Sequence, residues 1–251
     1  MTAVSSRSPR TAVVTGGTSG AGLAVARKLC AAGDRVTLVY GHSVEGAEHT
    51  LDALAALPGT VRAVRADLAL PGGIDAVLDA VREHEDRLDV FVHSATSFHP
   101  GSALGASLDG FRADLAVALE PLLLGAPGIA ELMAGGPGRI VAVTSIGSRG
   151  VVPRYASLGL AKAALESLVR YLAVELAPRA ITVNAVSTSK LDKGPATSAP
   201  QQAEALARRT PAGRLTTPDD IADVVSLLCH PDAGWIQGQI LTADGGLSLL
   251  A

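Results

Sequence analysis

Short runs of β-branched and other apolar residues, at 11–15, 36–40, 61–66, 90–94, 140–145, 181–187 and 240–243, alternate with longer alanine- and leucine-rich segments of helical period. The helical segments lie near 21–32, 44–56, 72–86, 107–134, 155–177 and 218–229. That alternation constrains the fold more than any other feature. Strand, helix, strand, repeated, returns the chain in parallel through right-handed crossovers, which predicts an α/β fold: a doubly wound parallel sheet of about seven strands with helices on both faces. Strands covered on both sides are expected to be apolar on both faces, and a hydrophobic content of 48% supplies the material. No repeat or linker divides residues 1–251, which read as one domain with a polar, frayed tail at 1–9. The segment 187–211, rich in Ser, Thr, Pro, Ala and Gln, follows the end of the sixth strand. Ligands bind at that edge of an open α/β sheet, so it reads as a mobile substrate loop, with a plain surface connection as the alternative.

Charge and cysteine usage exclude several classes of function. Twenty-one basic against 24 acidic residues leave a formal charge of -3 and no polybasic run, which argues against nucleic acid or an anionic membrane as partner. Cys30 and Cys229 lack CxxC or Cys/His spacing, so no disulfide framework or metal site is expected, and buried thiols in a cytoplasmic protein are. The longest apolar stretch, 115–133, is interrupted by Glu120, Pro121 and Pro127, so no membrane span is expected. Arginine greatly outnumbers lysine; Lys28, Lys162, Lys190 and Lys193 are the only four.

After the first strand comes Thr15-Gly16-Gly17-Thr18-Ser19-Gly20-Ala21-Gly22, leading into a helix. Glycines here allow a tight turn and close backbone approach, so that a pyrophosphate can sit on the free N–H groups of the helix N-terminus. The TGxxxGxG spacing resembles the short-chain dehydrogenase/reductase family. The resemblance extends over nearly the whole chain through Asp67-Leu68, Ser94-Ala95, Thr210-Pro211-Ala212-Gly213-Arg214, Pro218-Asp219-Asp220-Ile221-Ala222, Gly238-Gln239 and Asp244-Gly245-Gly246. It implies a Rossmann fold and nucleotide contacts from Gly16, Thr18, Ser19, Gly20, Ala21, Gly22, Asp67, Leu68, Ser94, Ala95 and Thr188. It also implies a homotetramer paired through the long helices near 107–134 and 155–177 and the C-terminal strand. The second strand ends Leu38-Val39-Tyr40-Gly41-His42-Ser43, without the acidic residue that would repel a 2'-phosphate. NADPH is therefore favoured and NADH remains possible; His42 and Ser43 are candidate donors to the 2'-phosphate, although His42 reads equally as an ordinary loop residue.

The family's usual site places a Tyr thirteen residues after a Ser and a Lys four residues later. Counting from Ser145, position 158 is Leu158, Lys162 is in register, and the tyrosine lies three residues early at Tyr155. On a helix a spacing of seven stays on one face as a spacing of four does, and moves the phenol roughly 4.5 Å along the axis. The Tyr-x6-Lys spacing, with Phe91-Val92-His93-Ser94 and the segment from Pro153 to Tyr171, resembles the bacterial enoyl-[acyl-carrier-protein] reductases. The resemblance implies that Lys162 holds the nicotinamide ribose, that Tyr155 donates to an enolate oxygen, and that Ser145 assists. The family's relay Asn aligns with Ala118, and Thr188-Ser189 replaces the usual Pro-Gly. Three readings follow: an NADPH-dependent reductase of an enoyl thioester on acyl carrier protein or coenzyme A, a ketoreductase or alcohol dehydrogenase of a polyketide-like metabolite, and a non-catalytic cofactor-binding protein. Lys190 and Lys193 read as ligands of the pyrophosphate or of the carrier's phosphopantetheine, or as solvated surface, with solvent favoured.

Overall fold

Period-two alternation along the strands sorts their side chains into two helical layers. In the computed structural model, which describes residues 8–250, Val13, Phe91, Ile140, Ala142 and Val183 face one layer, while Ala12, Val14, Val90, Val92, Val141 and Val143 face the other. Most of the expected N-terminal tail, residues 1–7, lies outside the described residues, as does Ala251. The strands are β1 (Thr11–Thr15), β2 (Arg35–Tyr40), β3 (Thr60–Arg65), β4 (Val90–His93), β5 (Gly138–Ser145), β6 (Ile181–Thr188) and β7 (Ile240–Ala243). All pair in parallel, in the order β3-β2-β1-β4-β5-β6-β7.

The first layer holds α3 (Gly73–His84), α4 (Leu108–Leu123), α5 (Ala126–Leu132) and α6 (Ala156–Leu176); the second holds α1 (Gly20–Ala31), α2 (Val44–Leu54) and α8 (Pro218–Leu228). Phe91, Leu38, Ile140 and Leu165 are among the largest fully buried side chains, and each such burial contributes roughly 1.5–3 kcal/mol. Cys30 and Cys229 are buried together in the second layer.

Four details depart from the sequence expectation. The inner strands are apolar on both faces, but β3 is an edge strand in which Arg62 and Arg65 interrupt the pattern; charge on an edge blunts pairing with another sheet. The single helix expected at 107–134 is two, α4 and α5. They part at Gly125, where a Cβ would stand 2.4 Å from the Pro121 carbonyl oxygen and 2.5 Å from the Ile74 side chain. The segment 187–211 is not loop throughout: α7 (Pro200–Arg209) fills its second half. Finally, α6 begins at Ala156, so Tyr155 is its N-cap, with φ -117° and ψ 14°, rather than a residue of its first turn. Among the described residues, 108–132 is long and apolar enough by length and composition to cross a membrane, despite Glu120 and Pro121. Its first part, α4, packs against α6 and buries Asp114, Ala118 and Leu122.

Candidate active site

The sheet order reverses between β1 and β4, and such a switch point opens a crevice at the C-terminal strand ends. Here the crevice has a volume of about 450 Å³ and is bounded by the glycine turn, the ends of β4, β5 and β6, the start of α6 and the loop 188–198. Of the residues singled out from the sequence, Gly16, Ser19, Gly20, Ala21, Ser94, Ala95, Ser145, Tyr155, Lys162 and Thr188 line it. Thr18, Gly22, His42, Ser43, Asp67 and Leu68 do not.

Backbone proximity explains the glycines. Gly16 adopts φ +64°, and a Cβ there would stand 2.9 Å from Cα of Ala95; one at Gly22 would stand 2.2 Å from the Gly16 carbonyl oxygen. Ser19 caps α1 with extended backbone but without a side-chain hydrogen bond, which leaves first-turn N–H groups for a ligand. A turn so tight, opening a helix of 12 residues, fits a nucleotide pyrophosphate.

Beneath this turn lies a buried polar chain. His93 is fully buried, with Nε2 3.1 Å from the Ala118 carbonyl oxygen and Nδ1 2.9 Å from Thr15 Oγ1. Thr15 Oγ1 in turn accepts from the backbone N–H groups of Ser94 and Ala95, each at 3.1 Å. A neutral imidazole satisfies every bond: Nε2–H donates to Ala118, and Nδ1 accepts the threonine hydroxyl. Burial, reinforced by the nearby Lys162 charge, lowers the His93 pKa to about 3. Ala118, at the position of the family's relay Asn, thus has its carbonyl tied to His93 in place of a side-chain interaction.

Lys162 is delivered by α6, buried, and donates from Nζ to the Val143 carbonyl at 2.8 Å. Burial lowers its pKa to about 8. One turn further, buried Glu166 accepts from Thr144 Oγ1 at 3.1 Å, Ser148 Oγ at 2.5 Å and Arg149 Nε at 3.1 Å. Those bonds hold the turn that carries Ser145, whose Oγ accepts from Gly147 N–H at 3.2 Å.

Tyr155 is positioned by an irregular segment, because it precedes the helix. Arg154 stands at φ +60°, a strained value for a side-chain-bearing residue, and its carbonyl accepts from Gly101 N–H at 3.1 Å. The ring lies over Gly147, where a Cβ would be 2.7 Å from it, and meets Phe98 at a centroid distance of 5.5 Å. The next residue, His99, anchors the segment: its N–H and Nδ1 reach the fully buried Asp114 carboxylate at 3.2 and 2.8 Å. Burial raises the Tyr155 pKa above its ordinary value; a hydrogen bond with Ser145 opposes the rise and the Asp114 charge adds to it. The phenol is therefore a protonated donor. Leu158, where the family usually has its tyrosine, is buried and packs with Ala118, Ala161, Leu115 and Tyr155.

Outside the crevice lining, beyond the end of β2, Ser43 caps α2 and accepts from Gly46 N–H at 3.0 Å, which leaves its hydroxyl proton free to donate, while His42 is exposed. Asp67 Oδ1 accepts from Ala69 N–H within its own turn, at 3.0 Å, and Leu68 is buried. Arg65, paired in register with Tyr40, reaches the Gly41 carbonyl at 3.4 Å. Sequence reasoning passed over Arg65, Asp114 and Glu166. The last two had a legible signal, a carboxylate among mostly apolar helical residues, with Glu166 one turn from Lys162, whereas Arg65 had none short of knowing the β2–β3 register.

The His93 bonds carry a pH signature. An unfolded imidazole takes up a proton near pH 6.5 and the folded one near pH 3, so stability falls as pH drops through that window, by on the order of a few kcal/mol from this group. Thermal unfolding followed from pH 7 to 4 should show a shallower loss in His93→Gln, whose side chain does not titrate, than in the unchanged protein. Equal slopes would rule out a buried neutral His93.

Comparison with known proteins agrees with this geometry. Residues 16–248 match the family model described as Enoyl-(Acyl carrier protein) reductase. A 1-cyclohexenylcarbonyl-CoA reductase of Streptomyces collinus is 36% identical over 95% of this chain and 87% of its own. A hydroxynaphthalene reductase of Aspergillus fumigatus is 30% identical over 94% of this chain and 91% of its own. The crystal structure of a short-chain dehydrogenase from Burkholderia cenocepacia in complex with NADP superposes with a TM-score of 0.87 at 33% identity, covering 95% of this chain and 98% of the other. With the glycine turn, the switch-point crevice and the Tyr and Lys at its wall, these matches make the chain a member of the short-chain dehydrogenase/reductase family of oxidoreductases.

Proposed function

We propose that the protein is an NADPH-dependent reductase of an α,β-unsaturated thioester carried by coenzyme A or acyl carrier protein. One observation carries the reading: the Tyr155 phenol shares the crevice with Lys162 while Leu158 occupies the position where a ketoreductase of this family has its tyrosine. A ketone reductase protonates the oxygen on the carbon that receives hydride. In an enoyl thioester, hydride goes to Cβ and charge develops on a carbonyl oxygen two bonds away. A phenol set off from the usual position suits the second geometry. The Streptomyces collinus relative, named as a reductase of an unsaturated ring thioester, supports the same substrate class.

A bound reduced nicotinamide nucleotide supplies the hydride. Tyr155, kept protonated by burial, donates its hydrogen bond, and then its proton, to the thioester oxygen as negative charge builds there. Lys162 holds the nicotinamide ribose hydroxyls, a role suited to a compact ammonium rather than an arginine fork. Ser145, which lines the same crevice, assists at the developing oxyanion. Gly16, Thr18, Ser19, Gly20, Ala21 and Gly22 form the pyrophosphate turn, and Asp67, Leu68, Ser94, Ala95 and Thr188 the remaining nucleotide contacts. Exposed Leu160, Tyr171 and Val174 on α6 support pairing between copies through the long helices. The second reading, a ketoreductase, is favoured by the TGxxxGxG turn and by the Aspergillus fumigatus relative.

Purified protein given NADPH with crotonyl or acetoacetyl thioester should oxidise the nucleotide faster with crotonyl, followed at the nicotinamide absorbance band; faster turnover of the keto substrate would favour the second reading. Tyr155→Phe should lower kcat by ~100-fold or more, since one oxyanion donor is worth that much, and unchanged turnover would remove Tyr155 from the chemistry. For cofactor choice, Arg65, whose Nε reaches the Gly41 carbonyl just before His42 and Ser43 in sequence, supplies the cation that the glycine turn lacks. Arg65→Gln should raise KM for NADPH about tenfold and leave NADH within about twofold. Equal losses with both nucleotides would exclude a contact to the 2'-phosphate.

A further inference from the structure

Three of the four lysines of this chain line one crevice, and no aspartate or glutamate lines it. The fourth, Lys28, lies outside and pairs with Asp223. Among the described residues no ion pair holds Lys162, Lys190 or Lys193. Lys162 lies on α6 with its Nζ on the Val143 carbonyl of β5; the other two belong to the loop after β6. Lys190 Nζ donates to Ser198 Oγ at 3.2 Å. Lys193 reaches across the crevice to the glycine turn: a Cβ built on Gly20, the first residue of α1, would stand 3.5 Å from both its Cε and its Nζ.

The loop backbone is built to present that ammonium. Asp192 N–H donates to the Thr216 carbonyl at 2.8 Å, and Leu191 bridges Thr216, so the base of the loop is pinned to the segment before α8. The carboxylate of Asp192, next to Lys193 in sequence, is turned away, accepting from Gly194 N–H and Thr197 Oγ1, each at 2.9 Å. Lys193 N–H donates to Thr197 Oγ1 at 2.6 Å, which closes the turn. An unpaired ammonium thus stands over the positive end of α1, and two like charges brought together this way call for an anion between them.

We infer that Lys193 is a second, loop-borne ligand of the nucleotide pyrophosphate, closing over it from the side opposite the α1 N-terminus. The anion is held between the backbone N–H groups of the glycine turn and one mobile ammonium. Nucleotide binding is thereby linked to the position of the loop that also walls the substrate side of the crevice. The inference rests on the family's use of nicotinamide nucleotides and not on the enoyl reading, and it is tested without any thioester.

Dissociation constants for NAD+, NADP+, ADP-ribose and AMP, measured by calorimetry at low salt, separate the possibilities. Lys193→Gln should weaken the three pyrophosphate-bearing ligands by a similar factor, about tenfold, leave AMP unchanged, and flatten the salt dependence of binding. Lys193→Arg should recover most of the affinity. Lys193 is exposed, so both variants should unfold at the temperature of the unchanged protein when no nucleotide is present. Unaltered dissociation constants for NAD+ and NADP+ would overturn the assignment. So would a loss confined to NADP+, which would place Lys193 on the 2'-phosphate, or a loss shared by AMP.

Discussion

A buried ammonium without a carboxylate beside it is the constraint on which the rest of this site depends. Lys162 stands on an apolar helix, 5% exposed, with the Val143 carbonyl as its hydrogen-bond acceptor. Taking an ammonium out of water is expensive, and here the cost appears as a pKa lowered to about 8. The surroundings avoid adding to it. His93 is held neutral between Thr15 and the Ala118 carbonyl, so the one nearby group able to become a second buried cation does not. Nor is the charge neutralised by an internal acid: Glu166, one turn away on the same helix, is committed to Thr144, Ser148 and Arg149. The crevice therefore presents uncompensated positive charge to what enters it, as a polyanionic nucleotide requires.

Two departures from the family pattern that look independent in the sequence form one packing unit in the structure. Ala118 stands where a relay Asn is usual and Leu158 where the tyrosine is usual; with Ala161 they form one small apolar cluster. The carbonyl of Ala118 is then satisfied from the opposite side, by His93. The phenol has moved to Tyr155, outside the helix, where the strained Arg154, the floor of Gly147 and the Phe98 ring set its place.

The fold was legible because strand and helix periods differ and alternate; the seven apolar runs and the glycine turn fall where the sheet needs them. Tyr155 and Lys162 are legible as a pair sharing a crevice, but Tyr155 caps α6 with non-helical backbone, so a displacement along the helix axis does not describe its position. Its position comes from contacts with Gly101, Gly147 and Phe98, which lie far apart in sequence and carry no local signal. The same holds for Arg65, whose nearness to Gly41 depends on the register of β2 and β3. Lys193 is exposed, as its composition suggests, and its approach to Gly20 depends on the folding of the loop after β6, which carries no local signal. Long-range placement decided what local pattern left open.

We propose that the offset phenol suits this crevice to conjugate reduction. Its most direct test is the fate of a label. With nicotinamide nucleotide deuterated at the transferable position and an equimolar mixture of crotonyl and acetoacetyl thioesters, NMR of the products reports which carbon accepts hydride. Conjugate reduction leaves deuterium on Cβ of a saturated butyryl thioester. Deuterium on the carbinol carbon of a 3-hydroxybutyryl thioester, with the crotonyl substrate recovered unchanged, would contradict it.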